Sequence, residues 1–316
     1  MDILIRLLNE LPLGKREILN LVETAPRRYK VYLIPKRSPG KFRTIAHPSK
    51  ELKLVQRWMV KNVLTGLPVH RAAMAYQPGT SILKNAQSHA EQRYLLKLDI
   101  KDFFPSIKPE DLLRHYEKFI GPLDALDRRA LSQILFRRNK ETKKLELSIG
   151  APSSPLISNS VFFPIDEKIQ EYCAAAGITY TRYADDLAFS TNQPHLLTDI
   201  PGVVAGILKT AEYPRLRLND EKTVHSSRKH RRQVTGLILT PDGNISIGRE
   251  KKRTIKALVH RYLLKQLSIE QTANLQGQLA YIHSVEPDFL GSLRAKYGAE
   301  NIARLLDLAR TSPTNK

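Results

Sequence analysis

Two adjacent carboxylates constrain this chain more than any other feature, because two strand-like runs enclose them. Residues 178–182 are rich in β-branched and aromatic side chains, residues 187–190 alternate apolar and small ones, and Asp185 and Asp186 lie between the two runs. This pattern predicts a β-hairpin with the acids at its tip. Two neighbouring carboxylates repel each other unless a positive charge lies between them, and a divalent cation bound by oxygen ligands is the usual one. An ordinary Asp-rich turn is the alternative.

A third acid favours the metal interpretation. Residues 94–107 begin as an apolar run, with Asp99 near the end of the run and Pro105 closing the segment. A carboxylate at the end of an apolar strand is costly unless it is paired or binds a metal. We therefore expect Asp99 to meet Asp185, with Asp186 close by, around two Mg²⁺ ions. Two such ions about 3.5–4 Å apart stabilise both the attacking and the leaving oxygen in phosphoryl transfer.

Several motifs, in order, resemble those of bacterial reverse transcriptases of the retron type. They occupy residues 85–89, 99–107, 150–155, 183–186, 218–223 and 233–237. Residues 85–89 match the Asn-Ala-x-x-His element and residues 234–236 the Val-Thr-Gly element, and these two elements mark retron enzymes within the wider family. Each motif is weak alone, but their common order over most of the chain carries the resemblance.

The resemblance implies an α+β protein with the right-hand polymerase fold. Fingers and palm, with an antiparallel sheet and packed helices, would occupy residues 1–240, and a small helical thumb that binds template–primer and RNA would occupy residues 241–316. The intermixed helix and strand patterns also favour the α+β class. The patterns predict short helices over 2–24, a hairpin over 31–47, helices over 50–64, 108–137 (two, broken near 121–122), 156–176 and 203–213, and a short β region over 234–248 with a turn at 241–243.

The implied reaction is RNA-directed DNA synthesis by nucleotidyl transfer. By resemblance, the metal site consists of Asp99, Ile100, Asp185 and Asp186. Lys222 is the fourth catalytic candidate, because a lysine near the departing pyrophosphate can donate a proton or neutralise charge. A plain surface lysine is the alternative, since lysines are common in so basic a chain.

The resemblance also assigns residues to the incoming nucleotide. Phe104 would pack under its sugar and exclude a 2′-hydroxyl, selecting dNTPs; a buried core phenylalanine is the alternative. Gly150 and Pro152 would allow a close approach of the backbone to the nucleotide. Arg43 is the preferred clamp on the triphosphate and Lys41 the second, because guanidinium forks match phosphate oxygens; contact with the RNA backbone is the alternative.

The residue before Gly150 differs from the one that the family commonly has at this position. Ile149 stands where glutamine is common. A contact that a glutamine side chain would make with the nucleotide is therefore not expected here.

Charge points to a polyanionic partner. The 316 residues include 51 Lys and Arg against 31 Asp and Glu, a formal net charge of +20. A membrane surface is an alternative partner, but no segment reaches the ~18–20 apolar residues that span a bilayer. The excess is local at residues 228–232 and again from about residue 249, where we expect phosphate contacts rather than a solvated helix face. The residues predicted to bind RNA or primer are Asn85, His89, Val234, Thr235, Gly236, Lys251, Lys252, Arg253 and Lys256.

His89 has a second interpretation. No other His or Cys lies at ligand spacing from it, so a zinc site is not expected. Together with Asn85, it either orders a loop or contacts RNA.

The compartment expected is the cytoplasm. The first residues are unlike a secretory signal, because Asp2 and Arg6 interrupt them. The single cysteine, Cys173, excludes an internal disulfide, agrees with a reducing compartment and is expected to pack in or near a core.

Membership in the retron type would imply specific partners. These are dNTPs, a structured non-coding RNA of the msr–msd kind, its DNA product and an effector protein, with no membrane. The enzyme would start from a 2′-hydroxyl of a guanosine in that RNA, yield a branched RNA–DNA hybrid (msDNA), and commonly serve defence against phage.

Two other functions stay open on sequence alone. The first is another bacterial reverse transcriptase, of the group II intron or diversity-generating type, although the intron type normally carries maturase and often nuclease regions after the thumb. The second is a non-catalytic RNA-binding relative. Three clustered carboxylates disfavour this second function, because only catalysis gives a physical reason to keep them together.

Overall fold

The structure is a computed structural model that describes residues 3–35, 40 and 42–311, with side chains described as far as residue 306. Lys41, predicted to bind the triphosphate, lies outside the described residues. The helices are α1 (Ile3–Glu10), α2 (Lys15–Thr24), α3 (Lys50–Asn62), α4 (Ile82–Ala90), α5 (Phe103–Ser106), α6 (Pro109–Phe119), α7 (Ala125–Leu135), α8 (Ser154–Val161), α9 (Phe163–Ala175), α10 (Ile200–Thr210), α11 (Arg249–Leu263), α12 (Ile269–Val285), α13 (Pro287–Tyr297) and α14 (Ala299–Thr311).

The strands form small sheets among these helices. They are β1 (Tyr29–Pro35), β2 (Phe42–Pro48), β3 (Tyr94–Asp99), β4 (Arg137–Arg138), β5 (Leu145–Glu146), β6 (Thr179–Tyr183), β7 (Asp186–Thr191), β8 (Val224–Ser227), β9 (Arg232–Val234), β10 (Leu237–Leu239) and β11 (Ile245–Ser246). The sheet orders are β1-β2, β4-β5, β6-β7-β3-β8 and β11-β10-β9. The pairs β1-β2, β6-β7 and β9-β10 are antiparallel, and helices lie before, between and after the sheets along the chain, which confirms the predicted α+β class.

Most predicted elements are confirmed, and local chemistry explains their ends. Helix α3 begins after Ser49, whose hydroxyl accepts the backbone N–H of Leu52 at 3.3 Å. The predicted hairpin over 31–47 is the antiparallel pair β1-β2. Cys173 is fully buried on α9, as predicted.

One predicted helix is two. Instead of a single helix over 156–176, α8 ends at Val161 and α9 begins at Phe163. Pro164 lies in the first turn of α9, where the missing N–H of proline costs nothing. A proline inside one continuous helix would remove a hydrogen bond, so the chain breaks before it.

The chain divides into two compact units. The first comprises residues 1–80 and 96–225, and the second comprises residues 81–95 and 226–316. The second unit therefore includes α4 and begins again at residue 226, whereas the sequence division places a boundary at residue 240. That division concerned fingers, palm and thumb, and the assignment of those functions stays a prediction.

Each unit has its own apolar core. In the first, the fully buried side chains include Phe136, Phe162 and Phe189. In the second, residues from α4, the β9-β10-β11 sheet and helices α11 to α14 form one cluster around Leu237, Leu279 and other buried residues. Burying a large apolar side chain contributes about 1.5–3 kcal/mol, so each cluster stabilises its own unit. Along the described residues, no helix has the length and apolarity needed to cross a bilayer.

Candidate active site

A tight hairpin turn presents two of the three acids. Strands β6 and β7 pair in antiparallel register as far as Tyr183 opposite Asp186, which leaves Ala184 and Asp185 as the turn. Ala184 has φ 56°, in the left-handed region that residues other than Gly, Asn and Asp seldom adopt. The turn thus holds Asp185 at its tip and Asp186 at the start of the next strand.

The third acid lies beside this turn. Asp99 ends β3, and the N–H of the next residue, Ile100, donates to the carbonyl oxygen of Asp185 at 2.9 Å. Asp99 is only 6% exposed. Segments that are more than eighty residues apart in sequence therefore meet at the tip of the hairpin.

A further segment closes on Asp99 from another direction. The N–H of Asn219 donates to the Asp99 carbonyl oxygen at 2.8 Å, and the Asn219 side-chain Nδ2 donates to Asp99 Oδ1 at 3.0 Å. Lys222 Nζ lies 2.9 Å from Oδ1 and 2.7 Å from Oδ2 of the same carboxylate. The Lys222 side chain is 55% exposed and that of Asp99 8% exposed, so the pair lies at a surface rather than in a core.

The acids perturb one another. Desolvation and then repulsion from Asp99 raise the pKa of Asp185, although a hydrogen bond to its own backbone opposes the rise. Desolvation, then repulsion from Asp185 and Asp99, raises the pKa of Asp186 to about 6. Although the residue as a whole is exposed, the carboxylate of Asp186 is partly desolvated, and this desolvation raises its pKa more than the two neighbouring acids do. The carboxylates therefore lie close enough to repel one another, while the charges of Lys222, Arg43 and Lys97 act against that repulsion.

The donor set fits a hard divalent cation. In the described ranges, no three or more Asp, Glu, His or Cys side chains are already arranged as a ligand cluster. Mg²⁺, however, is commonly bound by one or two carboxylates together with waters and substrate phosphates, rather than by a complete protein cage. Asp99 and Asp185 supply such carboxylates, and Ile100 could contribute only its backbone carbonyl, because its side chain has no donor atom.

A pocket of about 390 Å³ lies in the same unit. Its lining includes Phe104, Gly150 and Pro152, which are predicted to bind the nucleotide. It also includes Ile149, which stands where the family commonly has glutamine. Phe104 is half-buried and packs edge-to-face on Phe103, with ring centroids 5.4 Å apart. The ring therefore faces the pocket and is not simply part of the core.

Gly150 has a second role that the motif did not reveal. Its φ is +118°, and a Cβ at this position would lie 2.9 Å from His47 Cδ2 and 3.1 Å from the Ala46 carbonyl oxygen. Immediately before it, the Ile149 carbonyl oxygen accepts the N–H of Ala46 at 2.8 Å. The glycine is therefore required for close packing against β2, in addition to any approach to a ligand.

Sequence reasoning missed three residues that line the pocket. Lys53 and Arg57 lie one turn apart on α3, and Tyr76 is 53% exposed with φ 61°. Desolvation, then repulsion from Tyr183 and Asp185, raises the pKa of Tyr76, while Arg43 opposes the rise. The i, i+4 spacing of the two cations was a usable signal, whereas nothing in the sequence distinguished Tyr76.

Arg43 is exposed on β2 and close enough to Asp185 for its charge to lower the pKa of that carboxyl, against the larger raising effects. A cation that the acid turn can sense is suitably placed for a triphosphate beside that turn. Its role as a clamp stays a prediction.

The Asn-Ala-x-x-His element is structural. Asn85 and His89 lie on α4, only 1% and 0% exposed, and burial lowers the pKa of His89 to about 4. Direct contact with RNA is not available to side chains this deeply buried. The structure favours the alternative, in which these residues order the local chain.

The Val-Thr-Gly element forms the turn between β9 and β10. Val234 pairs with Leu237, so Thr235 and Gly236 make a two-residue turn with φ values of 45° and 85°. Two successive positive φ values are typical of a type I′ hairpin turn. The Thr235 hydroxyl donates to the Ile82 carbonyl oxygen at 3.2 Å, which joins this turn to α4. Val234 is buried, and Gly236 is the exposed residue of the three.

The basic residues of α11 are not equivalent. Lys251 and Arg253 are exposed, and Lys256 is half-buried. Lys251 Nζ lies 4.3 Å from the centre of the Tyr281 ring. Lys252 forms an ion pair with Glu286, which neutralises its charge. Exposed Lys251 and Arg253 are therefore better suited than Lys252 to contact phosphate.

The expectation that the basic run 228–232 contacts phosphate is wrong for Arg232. This side chain is fully buried, and its Nη2 donates to the carbonyl oxygens of Thr240 at 2.7 Å and Ala90 at 3.3 Å. Its Nη1 donates to the carbonyl oxygen of Gln92. Arg232 therefore satisfies backbone carbonyls near the end of α4.

Comparison with known proteins places these features in one family. The family model described as Reverse transcriptase (RNA-dependent DNA polymerase) matches residues 34–260. That range contains the acid turn, Asp99, Lys222 and the pocket.

Curated relatives are similar over nearly their whole length. Retron Ec83 reverse transcriptase of Escherichia coli is 39% identical over 280 residues, which cover 87% of this chain and 88% of the relative. Retron Ec86 reverse transcriptase of the same organism is 32% identical, covering 88% and 85%. Retron Ec73 reverse transcriptase, also from E. coli, is 35% identical, covering 88% and 90%.

Solved structures give a weaker likeness. A foamy viral protease–reverse transcriptase in complex with RNA/DNA hybrid matches with a TM-score of 0.47 at 13% identity, covering 94% of this chain and 36% of that one. A similarity at this level adds no weight to the assignment.

Proposed function

This chain belongs to the reverse transcriptase family, among the retron enzymes, and is an RNA-directed DNA polymerase; from that premise we propose that it makes msDNA. In this proposal the enzyme copies part of a structured partner RNA of the msr–msd kind. Synthesis starts from a 2′-hydroxyl of a guanosine in that RNA and leaves a branched RNA–DNA hybrid. Support comes from the three relatives described above, which are named retron reverse transcriptases and are 32–39% identical to this chain.

One observation carries the chemical part of the proposal. The N–H of Ile100, next to Asp99, donates to the carbonyl oxygen of Asp185 at 2.9 Å. This bond joins two acidic segments that are distant in sequence. Desolvation is the main cause that raises the pKa of Asp185, and the nearby charge of Asp99 adds to the rise. Acids gathered in this way suit the metal-dependent transfer of a nucleotide to a hydroxyl.

We propose that Asp99, Asp185, Asp186 and the backbone carbonyl of Ile100 hold two Mg²⁺ ions. When bound, these ions lower the pKa of the attacking hydroxyl and neutralise the departing phosphates. The chain itself supplies the orientation of its carboxylates. The left-handed turn fixes Asp185, and Asn219 fixes Asp99 through hydrogen bonds to both its backbone and its side chain.

Lys222 is proposed to neutralise negative charge at the site. Its ammonium holds the Asp99 carboxylate, yet more than half of its side chain is exposed. From this position it can neutralise or protonate the pyrophosphate as it leaves. The ion pair lies at the surface, where such pairs contribute little to stability, so Lys222 can leave Asp99 for the pyrophosphate with little loss of stability.

The 390 Å³ pocket is proposed to receive the nucleotide paired with its template base. Phe104 would lie under the sugar and exclude a 2′-hydroxyl, while Gly150 and Pro152 would let the protein backbone come close to the nucleotide. Arg43 would clamp the triphosphate. Lys53 and Arg57 would contact phosphates, because both cations line the same pocket.

The second unit is proposed to bind the partner RNA and the growing duplex. Exposed Lys251 and Arg253 are the preferred phosphate contacts, with Lys256 beside them. Gly236 is the exposed residue of its turn, where only backbone atoms could meet RNA. The net charge of +20 supplies a general attraction for nucleic acid.

The biological setting belongs to the same proposal. Retron membership supports a role in antiphage defence with an effector protein, and the cytoplasm as the compartment. Supporting observations are the retron relatives and the single cysteine.

Incorporation of dNTPs tests the chemistry. The purified chain is supplied with a primed RNA template and Mg²⁺, and compared with a variant carrying Asp185→Asn and Asp186→Asn. The matched control is Asp102→Asn, the same change at an exposed acid whose side chain makes no capping bond. We expect wild type and control to extend the primer and the double variant to fail. An inactive wild type, or an active double variant, overturns the proposal.

Sequencing of the nucleic acid that co-purifies with the chain tests the retron part. A short RNA joined to DNA through a 2′ linkage is the expected finding. Extension activity without any branched species would point instead to another bacterial reverse transcriptase.

A further inference from the structure

A buried ion pair lies directly behind the acid turn. Arg182 on β6 and Asp166 on α9 are both 0% exposed. Arg182 Nε lies 2.9 Å from Asp166 Oδ1, and Nη2 lies 2.6 Å from Oδ2, which is a two-pronged pair. The guanidinium also lies over the Phe162 ring, 4.5 Å from its centre. Such a pair is weak evidence for stability, because its desolvation penalty can exceed its attraction.

The third nitrogen of the guanidinium, Nη1, contacts the turn. Arg182 Nη1 donates to the carbonyl oxygen of Ala184 at 3.2 Å. Ala184 is the left-handed residue immediately before Asp185. The left-handed conformation costs an alanine about 1–2 kcal/mol, so a donor that holds its carbonyl opposes relaxation of the turn.

The same nitrogen is linked to the pocket lining through hydrogen bonds of Asn159. Arg182 Nη1 also donates to Asn159 Oδ1 at 3.0 Å, and Asn159 Nδ2 donates to the carbonyl oxygen of Ala75 at 2.7 Å. Ala75 precedes Tyr76, which lines the pocket with φ 61°. One buried hydrogen-bond network therefore reaches the carbonyl oxygen of left-handed Ala184 and the carbonyl oxygen immediately before left-handed Tyr76.

The backbone of Arg182 strengthens this link. Its N–H donates to the Ala72 carbonyl oxygen and its own carbonyl oxygen accepts the N–H of Met74, both at 2.7 Å. The segment before Tyr76 is thus fixed to β6 by main chain as well as by side chain.

We propose that Arg182 is a positioning residue for DNA synthesis, holding the turn that carries Asp185 and the segment that carries Tyr76 in one fixed arrangement. This inference rests on the proposed function of the acid site. Arg182 touches no reacting atom. It acts by fixing the position of the Asp185 carboxylate relative to Tyr76 in the pocket lining. A misplacement of about 1 Å can cost on the order of a hundredfold in rate.

Arg182→Lys tests the inference. Lysine keeps a positive charge for Asp166, but one ammonium cannot replace the guanidinium contacts to Asp166, Asn159 and Ala184 together. The matched control is Tyr180→Phe, which removes the hydroxyl that donates to Asp166 Oδ1 at 2.7 Å and keeps the ring that stacks on Phe189. This control perturbs the same buried pair without touching the turn.

Both variants are measured well below their melting temperatures, by kcat, KM for dNTP and the Mg²⁺ concentration that gives half-maximal rate. For Arg182→Lys we expect kcat to fall about tenfold to a hundredfold and the Mg²⁺ midpoint to rise, while Tyr180→Phe changes only the melting temperature. If Arg182→Lys keeps the kcat and Mg²⁺ midpoint of Tyr180→Phe, the side chain only stabilises the fold and the inference is wrong.

Asn159→Ala covers the case in which Arg182→Lys does not fold. It leaves the Arg182–Asp166 pair intact and removes the link to the Ala75 carbonyl. We expect KM for dNTP to rise about severalfold with a smaller change in kcat, because the pocket wall moves more than the acids. An unchanged KM overturns the coupling.

The failure of this inference is distinguishable from failure of the proposed function. An inactive wild type defeats both. A wild type that extends primers, with Arg182→Lys and Asn159→Ala at wild-type kcat, KM and Mg²⁺ midpoint, defeats the positioning role alone.

Discussion

The acid turn and the α4–β10 region were both singled out by motifs, yet the structure uses their residues in opposite ways. Around the turn, Asp186 and Lys222 are exposed and Asp185 half-exposed, and their charges act on one another. On α4, Asn85 and His89 are buried. A motif can thus mark either chemistry or the packing that a fold requires. Exposure alone does not separate the two, because Asp99 is itself buried and joins the acid turn through its neighbour Ile100 and its ion pair with Lys222.

The largest effect expected from this contrast is at Asp99. Asp99→Asn removes a carboxylate that would contribute several kcal/mol to the transition state, so primer extension should fall about a thousandfold or more. The melting temperature should change far less, because repulsion among the acids is relieved as the Lys222 pair is lost. Single-turnover extension and thermal unfolding measure the two quantities. Large loss of stability with a preserved rate would erase the contrast.

His89 should show the opposite pattern. His89→Ala empties a fully buried site and should lower the free energy of unfolding by about 2–5 kcal/mol, as other buried truncations do. The rate per folded molecule should be unchanged. His283→Ala, at an exposed position of α12 in the same unit, is the matched control and should leave stability within about 0.5 kcal/mol. A selective loss of RNA binding in a stable His89→Ala would contradict this.

Gly150 combines both patterns, since it lines the pocket and packs on β2. Gly150→Ala forces a Cβ to within 2.9 Å of His47 at a φ of +118°, and should cost about 1–3 kcal/mol of stability. Gly206→Ala, on α10 with open space around the new methyl group, should be neutral or slightly stabilising. Chemical denaturation measures both. Equal stability of the two variants would remove the packing role of Gly150.

These predictions also indicate how far sequence reasoning reached. It predicted the hairpin, the strand that carries Asp99 and the α+β class, because periodicity and turn chemistry are local. The right-hand polymerase fold followed from the resemblance, and family membership confirms it.

Other features could not be predicted. Arg182 reads as one more cation in a basic chain, and Asp166 as one more acid on a helix; only tertiary packing makes them partners. Arg232 is a similar case, because nothing local distinguishes it from its exposed neighbours. The segment that carries Asn219 and Lys222 was connected to Asp99 only through resemblance to a family.

A smaller effect is the pH dependence of stability and activity that Asp186 causes. The folded pKa of Asp186, about 6, is above its ordinary 3.8. The folded state therefore binds this proton more readily than the unfolded chain, and the penalty that Asp186 imposes on folding above pH 6 is relieved as pH falls from 6 towards 4. Activity should move the other way and decline below about pH 6 as the carboxylate is protonated. Relative to wild type, Asp186→Asn should lack this gain in stability at acid pH. Parallel pH profiles of unfolding for the two proteins would contradict the assignment.

The smallest effect concerns α11. Arg253→Gln should weaken RNA binding and lower the slope of log affinity against log salt by about 1, as expected for one phosphate contact. Lys252→Gln should change that slope less, because Glu286 already neutralises Lys252. Filter binding over a salt series measures both slopes. Equal slopes would show that the ion pair opens when RNA binds.

The central claim is that acids distant in sequence form one cation site. Replacing Mg²⁺ with Fe²⁺ in the presence of ascorbate and peroxide cuts the backbone beside a bound ion, and mass spectrometry locates the cuts. We predict cuts near both residue 99 and residues 185–186, suppressed together by excess Mg²⁺ and lost together in Asp185→Asn. Cleavage at only one of the two segments, or at neither, would contradict the account.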